Sequence, residues 1–213
     1  FIADTSFLNE YITAERLSRL YPEDDEIYED DDNDVILYRS GDLCVKEWSD
    51  VHVNELSSSD ILKYQHFFER IKEANSQNLS YLPSIERFGI STKSRSLFLV
   101  SKFVEGITVD QIETTKESRL LLAANLIEAI IHLHKLGLPI GRICHGSVLF
   151  NLDDNSFIFN DIIDINEYLD HESAYYPSHI DNPTSEQCQN YAIMRLVCEI
   201  LGFDIGNDSS EFK

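Results

Sequence analysis

Apolar positions along this chain first recur as short β-type runs and later as long helical stripes. Between 57 and 75 they fall at Ile61, Tyr64, Phe67, Phe68 and Ile71, one stripe of a helix that the Ser57 to Asp60 run is placed to cap. Runs VILY at 35–38 and LCVKEW at 43–48 are strand-like and flank Ser40, Gly41 and Asp42, so they predict a hairpin. Runs 84–90 and 96–103, separated by polar residues 91–95, predict two more strands. A short helix near 109–113 precedes a long one over 116–136 that Gly137 closes. Another hairpin is predicted from 148–151 and 157–160 across Asp153, Asp154 and Asn155, and a last apolar helix runs over 185–201 to Gly202. Phe7, Leu8, Tyr11, Ile12, Leu17 and Leu20 carry helical spacing that Pro22 ends. A strand-rich half followed by a helix-rich half is the layout of a two-lobed α+β protein.

The 213 residues, 43% apolar and 26% charged, suffice for one large or two small compact units. The start at Phe1 and the stop at Lys213, soon after an apolar helix, read as a piece of a longer protein. No internal repeat is visible. The net charge of −21 is concentrated in EDDEIYEDDDND at 23–34. A surface this acidic repels phosphate backbones and anionic headgroups, which argues against nucleic acid and membranes as partners. The run itself is expected to be a solvated, mobile loop, with a docking strip for a basic partner as the alternative. Cys44, Cys144, Cys188 and Cys198 are widely spaced, without a CxxC pair or a His/Cys cluster, as in a reduced cytoplasmic or nuclear protein. No signal peptide is visible. The most apolar helix, around 120–133, carries Asn125, Glu128 and His132, so no membrane span is expected.

Three segments set in this order resemble a eukaryotic-type protein kinase over about 35–202. Val45 and Lys46 are similar to the third-strand lysine motif, in which the ammonium pairs with ATP phosphates and with a glutamate on the next helix; Glu69 and Glu73 are the candidates here. FLVSKFVEG at 98–106 is similar to the fifth strand and hinge, and LHKLG at 133–137 to the end of the E helix before the catalytic loop. The resemblance implies a bilobal α+β fold, with a small antiparallel-sheet N-lobe over 35–105 and a partial helical C-lobe over 106–213. Residues 1–34 would precede them as an N-terminal helix and acidic loop.

The catalytic positions of that family are filled by other residues. The HRD aspartate lies eight residues after the histidine of the LH pair, which here is Arg142, counting from His134; the loop asparagine then falls on Ser147. His145, Gly146 and Ser147 offer a second register, which needs about four residues deleted before the following strand. In either register the general base would be Arg142 or Ser147. Arginine does not deprotonate in proteins, and serine is a poor base without an activator. The metal-binding DFG position falls on Asn160, or on Asp161 if the hairpin carries one extra residue, and an asparagine carbonyl brings no charge to a magnesium ion. Tyr176, Pro177 and Ser178 stand where kinases have APE, and Gln189 where the F helix opens with an aspartate. Upstream of Val35 no glycine exists to form a phosphate loop. The segment 161–177 has no arginine or lysine to hold a phosphorylated residue, and nothing after Gly202 supplies further C-lobe helices.

The resemblance with its chemistry removed implies a catalytically inactive, pseudokinase domain, used as a protein-interaction, scaffold or regulatory module of a larger protein. It would have no cofactor, no metal and no catalytic residue. Its partner would be another protein or a neighbouring domain of the same polypeptide. Lys46, Glu69 and Glu73 would be vestigial nucleotide-site positions, their ion pair at most a strut. The alternative is an atypical ATP-dependent phosphotransferase that keeps Lys46 and recruits Asp161 or Asp164 for metal; a third reading is a plain structural domain. Trp48, Tyr168, Tyr175 and Tyr176 are candidate interface aromatics, unless Trp48 packs under the helix over 57–75 and the tyrosines pin the segment before the last helix.

Overall fold

A computed structural model describes residues 6–30, 34–138, 143–161, 163–165, 175–177 and 179–203. The chain divides into two compact units, one of Phe1–Asn78 with Pro83–Phe103 and one of Leu79–Leu82 with Val104–Lys213.

The first unit is a six-stranded sheet with one long helix. Its strands are β1 (Ile12–Thr13), β2 (Asp25–Asp30), β3 (Val35–Ser40), β4 (Leu43–Trp48), β5 (Ile85–Ser91) and β6 (Ser96–Lys102), in the order β1-β5-β6-β4-β3-β2. All neighbours are antiparallel except β1, which lies parallel to β5. The β3–β4 hairpin turns through Gly41 at φ 61°, a left-handed residue of the kind such tight turns require. The Asp24 carboxylate accepts the Gly41 N–H. Helix α2 (Ser58–Ser76) starts at a reciprocal capping box between Ser57 and Asp60. Its Phe67 meets Trp48 of β4 edge-on at 5.8 Å, and Phe68 lies 5.5 Å from Phe88 of β5, so α2 covers one face of the sheet.

Residues 6–21 depart from the expected single helix. They form a 3₁₀ turn (Ser6–Glu10), β1, and a one-turn helix α1 (Leu17–Leu20). The reason is that their apolar residues serve two surfaces. Tyr11 stacks on Phe68 at 4.4 Å on the α2 side, whereas Leu17, 0% exposed, packs with Tyr38, Val45, Phe98 and Val100 on the opposite face. The segment is thus a strap around the β5 edge. A Cβ on Gly89 would stand 2.2 Å from the Tyr11 carbonyl oxygen, so the strap's approach depends on a glycine there.

The acidic run departs as well. Asp25–Asp30 is an edge strand paired with β3, with a bulge between Glu26 and Tyr28, rather than a loop. An edge strand keeps one side in water, where charged side chains are accepted and block pairing with other chains. The described residues 6–30 therefore lie within the first unit.

The second unit has the expected long elements: α3 (Lys116–Leu136), the hairpin β7 (Val148–Asn151) with β8 (Ser156–Phe159), and α4 (Ser185–Ile200). Thr115 caps α3, and Gly137, at φ 64°, ends it with its N–H on the His134 carbonyl. Leu126, Ile130 and Leu133 of α3, Leu196 and Ile200 of α4, and Phe150 and Phe159 of the hairpin are buried. Gly106 admits the chain to β7, since a Cβ there would lie 2.9 Å from Leu149 Cβ. The four cysteines are unbonded thiols. Among the described residues no helix is long and apolar enough to cross a membrane.

Candidate functional site

In the first unit, the β2–β3 hairpin occupies the place where the kinase layout has its phosphate loop. Asp34, the first described residue after β2, has a left-handed backbone at φ 53°. Two strands on, Lys46 is 5% exposed on β4, with Nζ 5.2 Å from the Trp48 ring centre. Cys44, Lys46 and Trp48 share the face that α2 covers, because side chains alternate along a strand.

The two candidate glutamates are turned the other way. Glu69 accepts from Gln65 Nε2 at 3.0 Å, and Glu73 pairs with Arg70 at 2.8 Å, both on the exposed side of α2. At 100° per residue they stand roughly 150° or more from the apolar stripe. The sheet-facing positions of α2, Ile61, Phe67, Phe68, Ile71 and Ala74, carry no carboxylate. The signal was present in the sequence, since the stripe that predicts the helix also fixes the direction of its glutamates. Trp48 is buried under α2, as its packing alternative required.

In the second unit, Ser147 and Asn160 are brought together. Residues His145–Ser147 form a single 3₁₀ turn before β7. Ser147 is 2% exposed; its hydroxyl accepts the Cys144 N–H at 3.1 Å, and its carbonyl accepts the Asn160 N–H at 2.8 Å. Ser147 and Asn160 are therefore backbone neighbours, as the residues that flank the β7–β8 hairpin. A hydroxyl so placed closes the turn before β7. Asp161 is half-buried and Asp164 buried. Among the described residues no group of three or more His, Cys, Asp or Glu is arranged to hold a metal ion. Arg142, Tyr168 and Ser178 lie outside the described residues.

Tyr175 pins its segment to α4. Its hydroxyl donates to Glu199, which also pairs with Arg195 at 3.0 Å, and the Arg195 guanidinium lies 5.4 Å from the Tyr175 ring. Burial, then the Glu199 hydrogen bond, pushes the phenol far above its ordinary range, so it remains a neutral donor. Gln189 is half-buried in the first turns of α4. Arg119 bridges α3 to the α4 terminus, donating to the carbonyls of Ile200, at 2.7 Å, and Ile112. Tyr81, on 79–82, bonds His132 at 2.6 Å and lies against Phe157 and Phe159.

No family model and no curated protein sequence matches the chain. Solved structures do match in fold. The kinase domain of maize SIRK1, a sucrose-induced receptor kinase, bound to AMP-PNP, superposes with TM-score 0.58 at 17% identity, covering 88% of this chain and 71% of that one. The Cydia pomonella granulovirus kinase PK-1 gives 0.55 at 15% identity, covering 91% and 78%. Rad53 1-466 in complex with AMP-PNP gives 0.56 at 14% identity over 84% of this chain, which spans 47% of the length of that one. With this sheet, this hairpin pairing and these likenesses, the chain has a protein-kinase-like fold.

Proposed function

We propose that the protein is a pseudokinase: a kinase-fold module that binds other proteins and transfers no phosphoryl group. The observation that carries this reading is the Ser147 and Asn160 pair. A turn-closing hydroxyl and a carboxamide stand where phosphoryl transfer needs a metal-binding asparagine and aspartate. Two further features support it. Carboxylates replace glycines in the phosphate-loop hairpin and would repel a nucleotide tail. Glu69 and Glu73, the α2 acids of the family analogy, are exposed and engage Gln65 and Arg70 instead.

An interaction role is supported by apolar surface on the second unit. Leu120, Ile127 and Ile131 are exposed along one side of α3, and a cavity of about 430 Å³ opens on α4 beside Tyr191, Met194 and Cys198. Contiguous apolar surface of this kind marks interaction sites. The partner is read as a protein or a neighbouring domain, in a cytoplasmic or nuclear setting.

Titration with Mg-ATP by calorimetry, alongside thermal unfolding, tests the reading. No heat and no nucleotide-dependent shift are expected at millimolar ATP. Tight binding, or transfer of labelled phosphate that Lys46→Ala and Asp161→Ala abolish, overturns it.

A further inference from the structure

The strap creates a groove on the first unit that none of the kinase-like positions uses. Its volume is about 670 Å³, within the range of roughly 300–1,000 Å³ typical of ligand sites. The strap contributes one wall at Leu8 and Asn9, the 51–56 connection and the start of α2 another, and the β5–β6 turn a third.

The walls are tied to one another before any ligand arrives. The Val51 N–H donates to the Arg95 carbonyl at 2.7 Å, and the Thr92 N–H to that of Thr13 at 3.0 Å. Leu8, Val51 and Ile61 make an apolar floor and are themselves buried in the core. Pre-tied walls lower the ordering cost that binding otherwise carries.

The charges at the rim point to the occupant. Acidic residues outnumber basic ones 38 to 17, and some of the cations are held by carboxylates. Lys72 pairs with Glu10, Arg70 with Glu73 and Lys102 with Asp42, at 2.8–2.9 Å. Arg95 lines the groove, is exposed with a left-handed backbone at φ 57°, and, like Arg16, Arg19, Lys93, Lys116 and Lys135, makes no side-chain hydrogen bond or ion pair among the described residues. Glu55 lines the same groove, and its carboxylate makes none either. Two opposite charges that share a rim and do not satisfy each other suit a ligand carrying both signs. The Asn9 and Asn54 carboxamides, also at the rim, can donate to and accept from a peptide unit at once.

We propose that this groove binds a short extended segment of a protein partner. An aliphatic or aromatic residue would cover the floor, flanked by a carboxylate for Arg95 and a basic or amide residue for Glu55. Arginine holds a carboxylate through two parallel hydrogen bonds, which fixes the direction of the segment. A uniformly acidic segment meets Glu55 and a uniformly basic one meets Arg95, so both are disfavoured. The proposal deepens the interaction-module reading by naming a surface and the chemistry of its partner.

Nine acetylated, fluorophore-labelled peptides with a Leu-Phe core, flanked on each side by Asp, Asn or Lys, provide the probe. Fluorescence anisotropy measures binding, and amide chemical shifts on the same protein locate it. One of the two mixed-charge peptides should bind roughly tenfold more tightly than the all-acidic and all-basic members. Its shifts should fall on residues 8–12, 51–61 and 92–95. Arg95→Glu should remove that preference, and Arg95→Glu combined with Glu55→Arg should restore it with the flanks exchanged; unchanged far-ultraviolet circular dichroism shows the variants are folded. Equal affinity for all nine peptides, shifts elsewhere, or no binding overturns the proposal. Mg-ATP binding would sink the pseudokinase reading without moving these amides, so the two failures are distinguishable.

Discussion

The two units treat their apolar surface differently. In the first, α2 covers one face of the sheet and the strap's Leu17 the other, so the chain closes its own sheet. In the second, α3 and α4 bury one side against each other and the hairpin, while Leu120, Ile131 and Met194 stay in water. Self-closure suits a unit whose shape must hold without help; the open helical faces suit one that meets something else. The strap is thus a structural substitute for a partner, and it leaves a groove at its own end as the place left to recognise one.

Gly89→Val attacks the closure directly and should have the largest effect. The added side chain collides with the Tyr11 carbonyl, so β1 must leave β5 and Leu17 must lose its seat. Stability to urea should fall by about 3 kcal/mol. Hydrogen exchange should rise in 11–17 and along the β5 edge, with α3 and α4 unchanged. Equal loosening of both units would erase the contrast.

Tyr175→Phe probes the helical unit and should cost about 1.5–3 kcal/mol, the usual scale for a hydrogen bond to a charged acceptor. Glu199 keeps Arg195, so α4 should stay protected while the segment around 175–177 exchanges faster.

The smallest effect concerns Glu47, on the sheet face that the strap covers. Burial pushes its carboxyl above the ordinary range, and the Ser96 hydroxyl, by donating to it, offsets part of that. The folded protein therefore holds this proton more tightly than the unfolded chain. The group's contribution to stability is fully present below the ordinary value of 4.5 and is lost as pH rises through the raised pKa. Glu47→Gln should flatten that decline in a pH series of urea midpoints, and the same slope in both proteins would contradict it.

The long elements were legible because period, cap and stop signal agreed. Ser57 before α2, Thr115 and Gly137 around α3, and Gly202 after α4 each mark a boundary that the structure keeps. The strap was not legible as such, because Leu8, Tyr11 and Leu17 have helical spacing yet serve opposite faces of a sheet made by distant residues. The acidic strand was hidden for a related reason: edge position, which tolerates charge, is a property of the assembled sheet. At the candidate site, Ser147 and Asn160 meet because they flank the β7–β8 hairpin that the sequence predicts. Glu69 and Glu73 were misdirected by family analogy, although the helical period alone turned them outward. The groove depends on three segments far apart in sequence, and no local pattern announces it.

Residues 79–82 leave the first unit, join the second, and return before β5. A single cut after 103 therefore cannot yield a complete helical fragment, because Tyr81 would stay with the other piece. The excised helices would carry a vacancy among Phe157, Phe159 and His132 where an aromatic ring belongs. Dissecting this protein calls for a graft of that tetrapeptide, and an apparent failure of the isolated half to fold would otherwise be an artefact of where the scissors fell.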